Sequence, residues 1–133
     1  MIERTFPATD AMLPEAIAYV EAFLEQEECP MKAMMQITVC VEEMFVNVAH
    51  YAYAESNGDV TLTLACTDRM FSLTLTDHGK PFDPLAKEDP DITLAAEDRM
   101  IGGLGIFMVK KSMDEVSYER SNGQNIFTMK KKI

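Results

Sequence analysis

The stretch from Val39 to Tyr53, VCVEEMFVNVAHYAY, most constrains what this chain can fold into. In and just before it, apolar residues recur at alternating spacings of three and four, at Met34, Ile37, Val41, Met44, Val48 and Tyr51. That period is typical of an α-helix with one buried face. It predicts a central helix from about Met31 to Ala54.

Two polar residues fall at the edge of this apolar stripe. Glu43 and Asn47 are four residues apart, so they lie one above the other on the helix, whereas Glu42 points to solvent. One interpretation is an edge pair that hydrogen-bonds to neighbouring backbone. The other is a metal-and-base pair, in which Asn47 offers a carbonyl oxygen to Mg²⁺ and Glu43 orients or deprotonates a nucleophile.

The rest of the chain predicts further strands and helices around the central helix. Apolar and polar residues alternate with period two in 60–66 and 71–76, which indicates antiparallel strands joined near Asp68 and Arg69. Gly102 to Gly105 opens a short helix before a final hairpin across Ser121-Asn122-Gly123. This helix is predicted at 106–113 and the strands of the final hairpin at 116–120 and 126–132. A strand at 2–6 and a helix at 13–27 are predicted before the central helix.

Asp77-x-Gly79 follows the second of these paired strands. A carboxylate there lies at the mouth of the sheet, and a glycine lets a ligand approach the backbone closely. Such a carboxylate suits the exocyclic amine of adenine, which is a hydrogen-bond donor. A plain turn initiated by Asp77 is the other interpretation.

Gly102-Gly103-x-Gly105 stands at the start of a helix, after a turn-rich connection of about twenty residues. Backbone N–H groups at a helix N-terminus bind anions such as phosphates. We expect the connection, 80–101, to act as a lid. Alone, this glycine motif is a weak signal.

Composition narrows the classes of function. A net charge of −10 over 133 residues argues against nucleic acid as the main partner. The N-terminus has no signal-peptide pattern and no stretch reaches membrane-spanning length, so we expect no membrane association. Three cysteines without metal-type spacing indicate reduced thiols in the cytoplasm. We expect a single domain over residues 1–133.

Taken in order, E-x-x-x-N, D-x-G and GGLG resemble the N, G1 and G2 boxes of the Bergerat-fold (GHKL) ATPases. Within them, the chain resembles the anti-sigma-factor serine/threonine kinases of the RsbW and SpoIIAB type. The resemblance covers about Ile2 to Lys132. It includes the stretches Asp77-x-Gly79-x-Pro81-Phe82-Asp83-Pro84, Gly102-Gly103-Leu104-Gly105-Ile106 and Met113-Asp114-Glu115-Val116.

The resemblance implies an α+β fold, a two-layer α/β sandwich with a mixed, mostly antiparallel sheet and helices on one face. ATP would lie between the central helix and the lid. Asn47 would hold Mg²⁺, Glu43 would be the catalytic carboxylate and Asp77 would bind the adenine amine. The resemblance also implies nucleotide binding by Gly79, Gly103, Leu104, Gly105 and Arg99. For Arg99 the alternative is that it is a solvated residue of the lid.

The implied function is that of a Mg²⁺/ATP-dependent serine/threonine protein kinase. It would phosphorylate a small STAS-type antagonist and sequester a regulatory partner such as a sigma factor. A nucleotide-gated binding module without phosphoryl transfer is the alternative, and a homodimer is an expectation from relatives. His50 receives no chemistry: the histidine usual after the N-box asparagine is displaced, and Tyr51 takes its place.

Overall fold

The computed structural model describes residues 1–53, 58–86 and 103–133. Within these residues, three α-helices accompany an antiparallel sheet, which is the arrangement of an α+β fold. The strands are β1 (Ile2–Pro7), β2 (Asp59–Thr67), β3 (Met70–Asp77), β4 (Glu115–Ser121) and β5 (Gln124–Lys132). The α-helices are α1 (Leu13–Gln26), α2 (Met31–Asn47) and α3 (Gly103–Ser112), with a π-helical turn at Val48–Ala52 and 3₁₀ turns at Asp10–Met12 and Pro84–Ala86.

The five described strands form one sheet in the order β1-β2-β3-β5-β4. The four pairings between these strands are all antiparallel. The prediction of a mostly antiparallel sheet is therefore confirmed, and no parallel pair occurs among the described strands. Strand β3 lies at the centre, where Asp77 faces Val60 on one side and Asn125 on the other.

One face of the sheet packs on the helices. On the three central strands the inward residues are almost inaccessible to solvent and, apart from Asp77 and Asn125, apolar; they form one core with the helices. The period-two prediction is confirmed, because the residues between them in β2 and β3 are threonines, Ser72 and Ala65, which remain half-exposed. The inward residues of the three central strands are Val60, Leu62, Leu64, Phe71, Leu73, Leu75, Phe127 and Met129.

Helix α2 buries the face that its apolar spacing predicts. Ile37 and Val41 are fully buried and Met44 nearly so, while Glu42 is exposed. Regular α-helix ends at Asn47, and the chain continues to Ala52 as a π-helical turn. Wide turns of this kind occur mostly inside helices and often at functional sites.

Two tight turns, each joining the two strands of a hairpin, lie at the places that the sequence predicts. Asp68 and Arg69 have φ of 52° and 63°, and Asn122 and Gly123 have φ of 52° and 77°. Two successive positive φ angles are the signature of a turn whose twist matches paired strands. Arg69 also donates to the backbone carbonyls of Glu27 and Ile133, which ties the first hairpin to the end of α1 and to the C-terminus.

None of the helices in the described ranges is long and apolar enough to cross a membrane. The three cysteines are free thiols. Cys40 lies in the core, and its burial raises the pKa of the thiol to about 11. It therefore packs as a small apolar residue.

The left-handed backbone conformation of Glu28, just after the end of α1, can be tested by mutation. Its φ is 55°, and the Cys29 and Glu28 N–H groups donate to the carbonyls of Leu24 and Glu25, which is the pattern of a Schellman cap. Glycine adopts this conformation without the steric cost, so Glu28→Gly should raise the free energy of unfolding by about 1 kcal/mol. Urea denaturation measures it. Glu28→Ala keeps the Cβ and should give no gain; equal gains in both variants would contradict the steric explanation.

Candidate active site

A pocket opens between the C-terminal half of α2 and the adjacent ends of β3 and β5. Among the residues that the structure describes, three polar side chains are buried, namely Asn47 (5% exposed), Asp77 (3%) and Asn125 (4%). All three line this pocket. The other lining residues are Tyr118 and a set of apolar side chains: Met44, Val48, Ala52, Leu75, Phe82, Pro84 and Phe127.

Glu43 and Asn47 form the pair that the sequence predicts on the helix. The Asn47 amide nitrogen donates to the Glu43 carbonyl oxygen at 2.7 Å and approaches Glu43 Oε1 at 3.3 Å. The predicted hydrogen bond to neighbouring backbone is therefore present. Asn47 Oδ1 accepts no hydrogen bond from any described residue, so this oxygen stays available as a ligand.

Asp77 is the last residue of β3 and lies at the floor of the pocket. Its Oδ1 accepts hydrogen bonds from the Gly79 N–H and from the Asn125 amide, both at 2.9 Å. The bond to Gly79 is the local turn that one interpretation of Asp77-x-Gly79 predicts. No hydrogen-bond donor among the described residues reaches Oδ2, so this carboxylate oxygen is left to accept from a ligand in the pocket.

Asn125 is the residue that sequence reasoning missed. It lies on β5 directly across from Asp77. Its amide nitrogen donates to Asp77 and to the Lys80 carbonyl at 2.8 Å, and its oxygen accepts from the Tyr118 hydroxyl at 2.5 Å. One signal could have found it: a polar residue at an inward position of a strand whose next inward residues are Phe127 and Met129.

Two glycines are required by close packing rather than by a positive φ. A Cβ on Gly79 would lie 2.6 Å from the Ala52 Cβ and 2.8 Å from its carbonyl carbon. A Cβ on Gly105 would overlap the Glu43 carboxylate. Gly105 thus lets the first turn of α3 pack against Glu43.

The chain that leaves β3 folds over the mouth of the pocket. The Phe82 ring stacks on Tyr51, with ring centroids 5.2 Å apart, and Pro84 is buried. The Lys80 N–H donates to the Ala52 carbonyl, and Arg120 donates to the Gly79 carbonyl at 2.8 Å. Tyr51, which replaces the histidine usual after the asparagine, therefore lies beside the pocket mouth.

Some predicted positions lie elsewhere. Arg99, Gly102 and most of the predicted lid fall outside the described residues. Gly103 and Leu104 are the first two residues of α3, as the glycine motif predicts. His50 lies on the protein surface, with Nε2 2.9 Å from both carboxylate oxygens of Asp10, and it takes no part in the pocket.

The lining combines apolar side chains with a few converging polar groups, which is the composition typical of small-molecule sites. Asn47 offers a hard oxygen of the kind that Mg²⁺ prefers, and the described residues contain no group of three or more His, Cys, Asp or Glu side chains that could form a full metal cage.

A family model described as the histidine kinase-like ATPase domain matches residues 6–131. The chain belongs to this family. The resemblance to the GHKL ATPases, which rests on the E-x-x-x-N, D-x-G and GGLG motifs, is therefore confirmed at the level of the family. Membership of this family implies nucleotide binding.

Similar proteins agree with this assignment. The serine/threonine-protein kinase BtrW of Bordetella bronchiseptica is 26% identical over 129 residues, which cover 96% of this chain and 89% of that protein. The serine-protein kinase RsbW of Listeria monocytogenes is 25% identical over 104 residues, 74% of this chain and 66% of that protein. A chain of the SiaB–SiaC complex from Pseudomonas aeruginosa superimposes with a TM-score of 0.61 at 17% identity, covering 100% of this chain and 90% of that chain. The structural likeness confirms the α+β fold.

The two packed glycines should respond differently to alanine. Gly79→Ala meets the backbone of Ala52, which cannot move away, so the free energy of unfolding should fall by about 2 to 3 kcal/mol. Gly105→Ala meets the far end of a glutamate, which can rotate, so the loss should be about 1 kcal/mol or less. Urea denaturation of both variants checks this. A larger loss for Gly105→Ala would contradict the packing described here.

Proposed function

We propose that this protein is a Mg²⁺/ATP-dependent serine/threonine protein kinase of the anti-sigma-factor type. One observation carries the proposal: Asn47, Asp77 and Asn125, the buried polar side chains of the described residues, converge on one apolar pocket beside Glu43. Buried polar groups cost free energy unless they are paired. Asp77 and Asn47 each keep an oxygen without a protein donor, which a ligand would use.

Asp77 would bind the base. Its free Oδ2 would accept a hydrogen bond from the adenine amino group, and the apolar lining residues Met44, Val48 and Phe127 would pack against the base. The triphosphate would then extend toward Asn47 and the N-terminus of α3. That N-terminus would place backbone N–H groups of Gly103, Leu104 and Gly105 near the phosphates.

Glu43 would act on the attacking hydroxyl of a serine or threonine. The hydroxyl oxygen forms a bond to the terminal phosphorus, the bond from that phosphorus to the bridging oxygen breaks, and ADP leaves. The hydroxyl proton passes to the Glu43 carboxylate. Mg²⁺ held in part by Asn47 Oδ1 would neutralise charge on the phosphate oxygens.

An exposed apolar stripe on α2 supports a protein as the acceptor. Met31, Met35 and Val39 are 68%, 61% and 56% exposed and follow one another at spacings of four. They lie on one side of the helix, and Val39 is one turn before Glu43. An antagonist of the STAS type seated on this stripe would bring its hydroxyl next to Glu43, and a sigma factor would be the regulated partner. The free thiols suit the cytoplasm.

Nucleotide binding is tested by thermal unfolding. ATP with Mg²⁺ should raise the melting temperature, because a ligand at a hundredfold excess over its Kd stabilises the folded state by about 2.7 kcal/mol. Asp77→Asn should largely abolish the rise, since the amide can turn its donor toward the amine of the base. Asp59→Asn, an exposed carboxylate on β2, is the matched control. No rise for the wild-type protein at millimolar ATP would end the nucleotide proposal.

Phosphoryl transfer is tested at Glu43. Glu43→Gln should keep ATP affinity and lose transfer to an antagonist by about 10²- to 10⁴-fold, the range typical of a positioned general base. The neighbouring exposed glutamate gives the control, since Glu42→Gln should be near neutral. Mass spectrometry of the antagonist after incubation with ATP gives the rate. An unchanged rate in Glu43→Gln would remove Glu43 from catalysis.

The same assay separates the kinase from its rival. A nucleotide-gated binding module would bind ATP and a protein partner but leave the antagonist unmodified. ATP binding without transfer to any antagonist tested would favour the module.

A further inference from the structure

Asn125 satisfies every hydrogen-bonding group of its amide inside the pocket wall. The nitrogen has two hydrogens and two acceptors, Asp77 Oδ1 at 2.9 Å and the Lys80 carbonyl at 2.8 Å. The oxygen accepts from the Tyr118 hydroxyl at 2.5 Å and from the Phe82 N–H at 3.2 Å. Two donors on one side and two acceptors on the other fix which way the amide points.

This orientation has a consequence for Asp77. The amide nitrogen and the Gly79 N–H occupy Oδ1 from two sides, so the carboxylate cannot rotate without losing a hydrogen bond in a buried site. Oδ2 is thereby held as an acceptor. An acceptor held in place favours a base that offers a donor at that point and disfavours one that offers an oxygen.

We propose that Asn125 is a positioning residue that sets the base selectivity of the pocket, by holding Asp77 so that it accepts a 6-amino purine and rejects a 6-oxo purine. The proposal rests on the nucleotide function proposed above. Asn125 does not itself need to touch the base. Tyr118 supports the same orientation from β4, through its hydroxyl.

The experiment compares two triphosphates that differ at the relevant atom. ATP carries an amino group at position six, and inosine 5′-triphosphate carries an oxygen there. Calorimetric titration with Mg²⁺ gives the ratio of their dissociation constants for each variant. A hydrogen bond to a charged group contributes about 10- to 100-fold in affinity, so we expect the wild-type protein to prefer ATP by at least that factor.

Asn125→Ala should reduce this preference by about tenfold, because Asp77 is then free to rotate. Gln124→Ala is the matched control; Gln124 is the preceding amide, it contacts His78 and not Asp77, and the ratio should not change. A purely structural role for Asn125 would weaken both nucleotides equally and leave the ratio intact. That result would overturn the proposal.

If Asn125→Ala does not fold, Tyr118→Phe tests the same proposal. It removes one hydroxyl from a half-buried ring and should reduce the preference by about threefold, the effect of one neutral hydrogen bond. An unchanged ratio in a folded Tyr118→Phe would overturn the proposal. If the wild-type protein binds neither triphosphate, the proposed nucleotide function is wrong. If the wild-type protein prefers ATP and Asn125→Ala keeps the same preference, only the positioning role of Asn125 is wrong.

Discussion

The packing of α2 on the sheet determines where the other parts of the site can lie. Ile37, Val41 and Phe45 are fully buried in the core that the helices share with the sheet, and this burial fixes the rotation of the helix about its axis. Rotation matters because each residue turns by about 100°. With the apolar face buried, Asn47 enters the pocket, Glu43 stays at its rim and Glu42 points to solvent. A change in that packing would move all three together.

The buried polar side chains of the described residues are concentrated at the pocket. Asp77, Asn125 and Asn47 lie within an interior that is otherwise apolar, and Asp77 and Asn125 face each other across neighbouring strands. Their hydrogen bonds reduce the cost of burial without removing every unpaired oxygen. A core selected for stability alone would use apolar residues of similar size at these positions. The retained polarity therefore marks this end of the sheet as a binding region.

Local patterns predict the elements of this fold well and the contacts between them poorly. The spacing of Met34, Ile37 and Val41 is sufficient to identify the buried face of α2, because helical periodicity is a property of neighbouring residues. The wide turn after Asn47 and the hydrogen bond between Asp10 and His50 leave no such periodic signal.

The site shows the same division. Glu43, Asn47 and Asp77 are recognisable from motifs of three to five residues. Asn125 is not, because its role depends on the register that places it opposite a residue 48 positions earlier. The contact between Gly105 and Glu43 likewise joins two segments that are distant in the sequence. Prediction from one sequence stops where function depends on pairing across the sheet or between helices.

The two ends of the pocket differ in how firmly they are held. At the base end, Asn125 ties Asp77 to Lys80, Phe82 and Tyr118 through hydrogen bonds that leave no part of its amide unpaired. At the other end, Glu43 is half-buried, its carboxylate approaches the Asn47 amide at 3.3 Å, and it packs closely against Gly105. A selective contact benefits from rigidity, because any rotation of Asp77 would admit a second base. In the proposed transfer Glu43 receives a proton from an arriving hydroxyl, a role that benefits from freedom to adjust, and its side-chain contact with Asn47 at 3.3 Å leaves its carboxylate more of that freedom than Asp77 has.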